Sequence, residues 1–151
     1  MTLPLPLGDL DHRTAAALAE VAVRFGDGLL RATQDQNLVL RGVAAATLPA
    51  LHEALAPLAL GEATPVVLQR LVSCSGSATC ALGLCQSRGL AQELRRALVA
   101  SGLDLDALAD LRLRISGCAN ACGKHPTAAI GLVGASRRVG GHRLPCYVVQ
   151  L

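Results

Sequence analysis

The reading of this chain turns on two stretches, Cys74-Ser-Gly-Ser-Ala-Thr-Cys80 and Cys118-Ala-Asn-Ala-Cys122, each preceded by an apolar run, Val66–Ser73 and Leu111–Ser116. Five residues separate the first pair of cysteines, three the second, and 37 lie between the pairs. The runs read as buried strands that deliver each pair into a loop of small residues. Ser75, Gly76, Ser77 and Ala78 serve the first pair; Gly117, Ala119, Ala121 and Gly123 serve the second. Four thiolates converging on a bulky anion need small neighbours, so that backbone N–H groups can point at the sulfurs. Two strands ending side by side would bring both pairs to one point. A four-thiolate zinc site is the competing reading, although zinc pairs usually leave two to four residues between cysteines. Buried thiols with no ligand are the plainest reading. Spacing favours an iron–sulfur cluster and leaves zinc open.

Outward from these loops, the pattern predicts an α+β chain. Thr2–Leu7 reads as an extended edge segment broken by prolines. Asp11 or Thr14 is placed to cap a helix through about Phe25, carried by Ala15, Leu18, Ala19, Ala22 and Val23, with a turn at Gly26-Asp27-Gly28. Leu29–Thr33 and Asn37–Gly42 read as two short strands. Thr47 is expected to cap a helix with Leu48, Leu51, Leu55 and Leu58 at helical spacing. This β-α-β-β-α order is close to the split βαβ of ferredoxin-like folds. Gly61–Pro65 marks a boundary, giving domains 1–62 and 63–151. In the second, a helix from about Thr79 to Ser101 is expected, with Leu90, Leu94 and Leu98 inward and Arg88, Glu93, Arg95 and Arg96 outward, ended by Gly102. Ala128–Val133 and Leu144–Val149 read as strands joined by a loop over 134–143.

Composition excludes several function classes. The chain has 151 residues and a net charge of +3, with basic residues scattered along it and only Phe25 and Tyr147 aromatic. An aliphatic core follows, with no stacking platform for bases and no nucleic-acid or polybasic membrane footprint. No apolar run approaches a membrane span of roughly 20 residues. Met1-Thr-Leu-Pro-Leu-Pro6 lacks the basic start of a signal peptide, so a cytoplasmic location is expected. In that compartment six cysteines point to metal or redox chemistry rather than to structural disulfides. Cys85 and Cys146 are expected in the core, and His12, His52 and His142 at the surface.

At this level of detail the chain resembles the sirohaem-dependent nitrite and sulfite reductases. Cys-x5-Cys followed by Cys-x-Asn-x-Cys-Gly matches their iron–sulfur region, extended by Ala81-Leu-Gly-Leu-Cys85, Arg114-Ile-Ser-Gly117, Lys124-His125 and Ile130-Gly-Leu-Val-Gly134. Leu5-Pro-Leu-Gly8 and Leu30-Arg-Ala-Thr-Gln-Asp-Gln-Asn-Leu38 are similar to the family's ferredoxin-like half-domain. The resemblance runs nearly the whole length in order and implies a half-domain followed by an α/β cluster domain. It implies that Cys74, Cys80, Cys118 and Cys122 hold a [4Fe–4S] cluster, with Cys122 bridging to sirohaem iron. It sets Arg31, Thr33, Gln36 and Asn37 against the sirohaem carboxylates, and Asn120 among the cofactor-binding positions. Cys122, Lys124 and His125 become the catalytic set facing a small anion, sulfite or nitrite. By residue type alone, a solvated loop accounts for Lys124 and His125 equally well. Arg137, Arg138 and Arg143 read as a solvated face, or as a contact for sirohaem or an acidic electron donor protein.

The resemblance is to one copy of a unit that occurs twice in these enzymes, the cluster-bearing second copy. More structure is expected after the final strand, and the anion-gripping residues of the first copy are not among the motifs present. Three arrangements suit a single copy: a half-size reductase completed by homodimerisation, a fragment or subunit needing a missing-half partner, and a protein that keeps the cluster without the reaction. A precorrin-3B synthase-like protein acting on a tetrapyrrole, and a non-catalytic electron-transfer or accessory protein, are the functional alternatives to six-electron reduction.

Overall fold

The computed structural model describes residues 1–151 and divides into two compact units, Met1–Thr64 and Pro65–Leu151. In the first, strand β1 (Thr2–Leu3) precedes helix α1 (His12–Phe25), strands β2 (Leu30–Ala32) and β3 (Leu38–Leu40), and helix α2 (Leu48–Leu55). The sheet order is β1-β3-β2, both pairings antiparallel, so β1 is an edge strand; the extended segment expected through Leu7 stops at Leu3, and Pro6 opens a 3₁₀ turn with Leu7 at φ 57°. Asp11 caps α1 by accepting from the N–H groups of Arg13 (2.8 Å) and Thr14 (3.1 Å).

The core of this unit joins Leu3, Leu18, Val21, Ala22, Phe25, Leu40, Leu51 and Leu55. The buried stripe of α1 is thus Leu18-Val21-Ala22-Phe25, and Val23, expected inside, is 73 % exposed. An alanine-rich helix is apolar around most of its circumference, so the large side chains select the face. Thr47 does not cap α2. It ends a 3₁₀ turn, and its hydroxyl donates backward to Ala44 O at 2.8 Å.

The second unit holds helix α3 (Val66–Gln69), strand β4 (Val72–Ser73), helix α4 (Ser87–Ala100) and strands β5 (Leu113–Ser116), β6 (Ile130–Val139) and β7 (His142–Gln150). Its sheet order is β4-β5-β6-β7, parallel across the first three strands and antiparallel at the last. Four expectations fail here. The long strand over Val66–Ser73 is a helical turn and a two-residue strand. Pro65 starts the turn, its carbonyl accepting from Leu68 and Gln69, as suits a residue whose φ is fixed.

The helix expected from Thr79 begins only at Ser87, because Leu84 and Cys85 give their N–H groups to Gly117 O, each at 3.0 Å. In α4, Leu90, Leu94 and Leu98 are half-buried and only Ser87 and Ala91 are fully buried; Arg95, expected outward, reaches in to donate to Leu68 O at 2.9 Å. The loop expected over 134–143 is instead the end of a long hairpin. Gly140 (φ 54°) and Gly141 (φ 83°) form its two-residue turn between paired Val139 and His142. Positive φ at both positions is the geometry that matches strand twist, and glycine adopts it without strain.

Asn37 provides a test of the first unit. It is 4 % exposed, and its side-chain oxygen accepts from Leu5 N at 2.9 Å, 32 residues away in sequence. Asn37→Ala leaves that buried N–H without its acceptor, and a loss of about 1–3 kcal/mol in urea unfolding is expected.

Candidate metal centre

The site is built by β4 and β5. Their parallel register sets Val72 beside Arg114 and Ser73 beside Ile115, so both strands end at one level. Cys74 leaves β4 with its N–H bonded to Ile115 O at 3.1 Å. Ser116 and Gly117 leave β5 toward Cys118. All four motif cysteines line one cavity of about 430 Å³, its open mouth included, together with Gly76, Gly83, Gly117 and Asn120. Cys74 and Cys118 are half-buried; Cys80 and Cys122 are exposed toward the mouth, where Leu82 is 68 % exposed.

The small residues have a packing role. A side chain on Gly117 would come within 2.8 Å of Gly76 Cα and 2.9 Å of Cys85 O, and one on Gly83 would meet the Gly76–Ser77 backbone. Gly76 also takes φ 56°, and a side chain there would strike Ser87 Oγ. Three backbone segments therefore stack without side chains between them. This approach aims a donor at sulfur: Gly117 N–H donates to Cys74 Sγ at 3.1 Å. Ser87, wholly buried at the start of α4, donates to Cys74 O at 2.7 Å, with its Oγ 3.4 Å from Cys74 Sγ. Ser116 Oγ accepts from Gly123 N at 3.1 Å and ties the second cysteine loop to the strand that precedes it. Residues 119–124 turn through two left-handed positions, Ala121 and Lys124, both at φ 58°.

The remaining candidates divide between the units. Arg31, Thr33, Gln36 and Asn37 share the β2–β3 hairpin of the first unit. Arg31 pairs with Asp27 at 2.9 Å and holds that carboxyl below its ordinary range. Thr33 Oγ1 accepts from Asn37 N at 3.1 Å, and Gln36 takes φ 61° in the tight turn. Asn120 is exposed at the cavity. Lys124 is half-buried and His125 only 6 % exposed, its Nδ1 buried without a partner. His125 is therefore not a residue of a solvated loop.

Cys85 is in the core as expected, its thiol donating to Ala135 O and Cys146 O at 3.6 and 3.3 Å. Cys146 is only half-buried. No three His, Cys, Asp or Glu side chains converge closely enough for a single ion.

Two features escaped sequence reasoning. One is Tyr147, whose buried Oη has no hydrogen-bond partner. Burial, and after it the charges of Cys85 and Cys74, push this phenol up to about 12 from 10. The other is a charge asymmetry. Pro65–Leu151 carries ten Lys and Arg against four Asp and Glu, Met1–Thr64 four against seven, and Leu111–Leu151 has no acidic residue. The sequence contained this signal, but a net charge over the whole chain averages it away.

Comparison with known proteins extends this geometry. Residues 1–58 match the family model for the nitrite/sulfite reductase ferredoxin-like half domain. The chain is 36 % identical over 141 residues to ferredoxin–nitrite reductase of Synechococcus elongatus, covering 92 % of this chain and 27 % of that protein. It is 31 % identical over 144 residues to the sulfite reductase [NADPH] hemoprotein beta-component of Methylobacterium nodulans, covering 89 % and 23 %. The solved structure of the NirA protein of Mycobacterium tuberculosis superposes with a TM-score of 0.84 at 27 % identity, over all of this chain and 28 % of that one. The fold is a ferredoxin-like half-domain followed by a mixed α/β domain that carries the two thiol loops. The chain is thus similar along nearly its whole length to one stretch of the nitrite and sulfite reductases, its first 58 residues matching their half-domain, and it spans about a quarter of the length of the curated relatives it matches.

The phenol gives a direct test, because Tyr147 is the chain's one tyrosine and there is no tryptophan. An absorbance titration is expected to show a midpoint near 12 in the folded protein and near 10 in urea. The folded pKa is the higher, so its stabilising contribution is full below pH 10 and is lost as pH rises toward 12.

Proposed function

We propose that this chain is the cluster-bearing unit of a sirohaem and [4Fe–4S] nitrite/sulfite reductase. The observation that carries the reading is the meeting of Cys74, Cys80, Cys118 and Cys122 in one cavity, with a backbone N–H already aimed at Cys74 sulfur. The donor set fits such a group. Four thiols line one cavity among glycines that leave room for a bulky anion, and four thiolates are the donors a [4Fe–4S] cluster takes. The acid-free tract Leu111–Leu151 provides a positive field for an anionic cluster and an anionic substrate.

In this reading Cys74, Cys80, Cys118 and Cys122 would hold the cluster, and exposed Cys122 would be the residue that couples it to sirohaem. Arg31, Thr33, Gln36 and Asn120 serve the sirohaem side chains. Asn37 contributes by fixing the β2–β3 hairpin, since its side-chain oxygen is engaged with Leu5 N. When bound, the two cofactors would pass on, one at a time, six electrons taken from the electron donor protein, reducing sulfite or nitrite. The chain's own residues position and neutralise: Gly117 N–H stabilises a thiolate, and Lys124 offers a cation beside the second cysteine loop. His125, with a buried ring nitrogen free, holds or relays a proton behind that loop. An electron donor protein and a second unit, a further copy or a missing-half subunit, complete the assembly.

The absorption spectrum of anaerobically purified protein tests the assignment. Soret and red-region bands above a broad cluster shoulder are expected. The shoulder alone would leave a cluster protein without sirohaem, in the accessory role. A colourless protein with stoichiometric zinc would overturn the reading. Cys122→Ser is expected to lose both cofactors, and unchanged haem occupancy would remove the bridging role.

A further inference from the structure

Tyr147 stands in β7 directly opposite Gly134 in β6. Opposed residues of an antiparallel pair project to the same face of the sheet. On that face, the place a side chain of Gly134 would take is filled by Gly117 O and by Cys85 Cβ, 3.1 Å away. Gly117 is the residue whose N–H reaches Cys74 Sγ. The ring of Tyr147 therefore shares a face with the backbone that holds Cys74, and both Cys85 and Cys74 act electrostatically on its phenol.

A buried hydroxyl without a partner costs free energy, and the Tyr147 hydroxyl has none, while carbonyls of the same neighbourhood accept from other donors. Cys74 O accepts from Ser87, while Ala135 O and Cys146 O accept from Cys85. Ligation changes this inventory, because a thiol must give up its proton to bind a metal. Cys74 then presents an anionic sulfur in half-buried surroundings, with Gly117 N–H as one donor and capacity for more.

We propose that Tyr147 is a positioning residue for the loaded cluster, donating its phenolic O–H to anionic sulfur at the Cys74 corner, either the thiolate or the adjoining cluster sulfide. The inference rests on the cluster reading above. A donor at sulfur stabilises the more negative, reduced cluster, so Tyr147 raises the reduction potential.

The test uses the full chain, reconstituted anaerobically with iron and sulfide, and a redox titration followed by electron paramagnetic resonance. Tyr147→Phe removes only the hydroxyl. It is expected to bind the same iron and sulfide with an unchanged thermal midpoint, and to shift the potential to more negative values. Equal loading with an unshifted potential would overturn the role. A second measurement needs no variant. Ultraviolet Raman scattering of the single tyrosine is expected to change in its hydrogen-bond-sensitive doublet on reconstitution, and an unchanged doublet in fully loaded protein would also overturn it. Failure of the underlying reading looks different: wild-type protein would then take up no iron and sulfide at all.

Discussion

The site depends on the parallel pairing of β4 with β5. Only two register pairs define it, Val72 with Arg114 and Ser73 with Ile115, yet they set where both cysteine loops begin. Parallel strands need a crossover between them, usually a helix, and α4 supplies it. Because Val72, Ser73, Ile115 and Ser116 are all essentially buried, a one-residue slip would turn each of them to the wrong face. The two thiol pairs thus inherit their separation from a hydrogen-bond ladder rather than from flexible loops.

Around that ladder the protein trades side-chain volume for backbone proximity. Gly76, Gly83 and Gly117 stack in contact, and the return is an N–H at 3.1 Å from the sulfur of Cys74. The carbonyl of Gly117 at the same time stops the incoming helix by accepting from Leu84 and Cys85. One peptide neighbourhood therefore delays α4, positions Ser87 under Cys74 and orients a donor into the cavity. The surrounding lack of acidic residues lets an anionic group sit there without like-charge repulsion.

The sequence showed the ferredoxin-like order of the first unit and the delivery of both cysteine pairs by strand ends. Asp11 as a cap was also legible, because it depends on local chemistry. The errors came where tertiary contacts override local pattern. Thr79–Gln86 reads as helix by composition, but Gly117 O captures its N–H groups. Val66–Ser73 reads as a strand, but Pro65 begins a helical turn. Gly134–Arg143 reads as a loop because Gly and Arg dominate it, whereas only the Gly140–Gly141 step turns. His125 and Tyr147 could not be located from sequence at all, since their burial depends on neighbours far along the chain.

The crossover has a consequence for how such a site tolerates change. The 37 residues between Cys80 and Cys118 do not measure the gap between the thiol pairs, because the ladder does that. Insertions or deletions in the exposed turn 101–106 after α4 should therefore be accommodated. A single added residue inside either cysteine loop would move a sulfur relative to its partners. The spacing within each pair is in this sense a fixed dimension, and the spacing between the pairs is an adjustable tether.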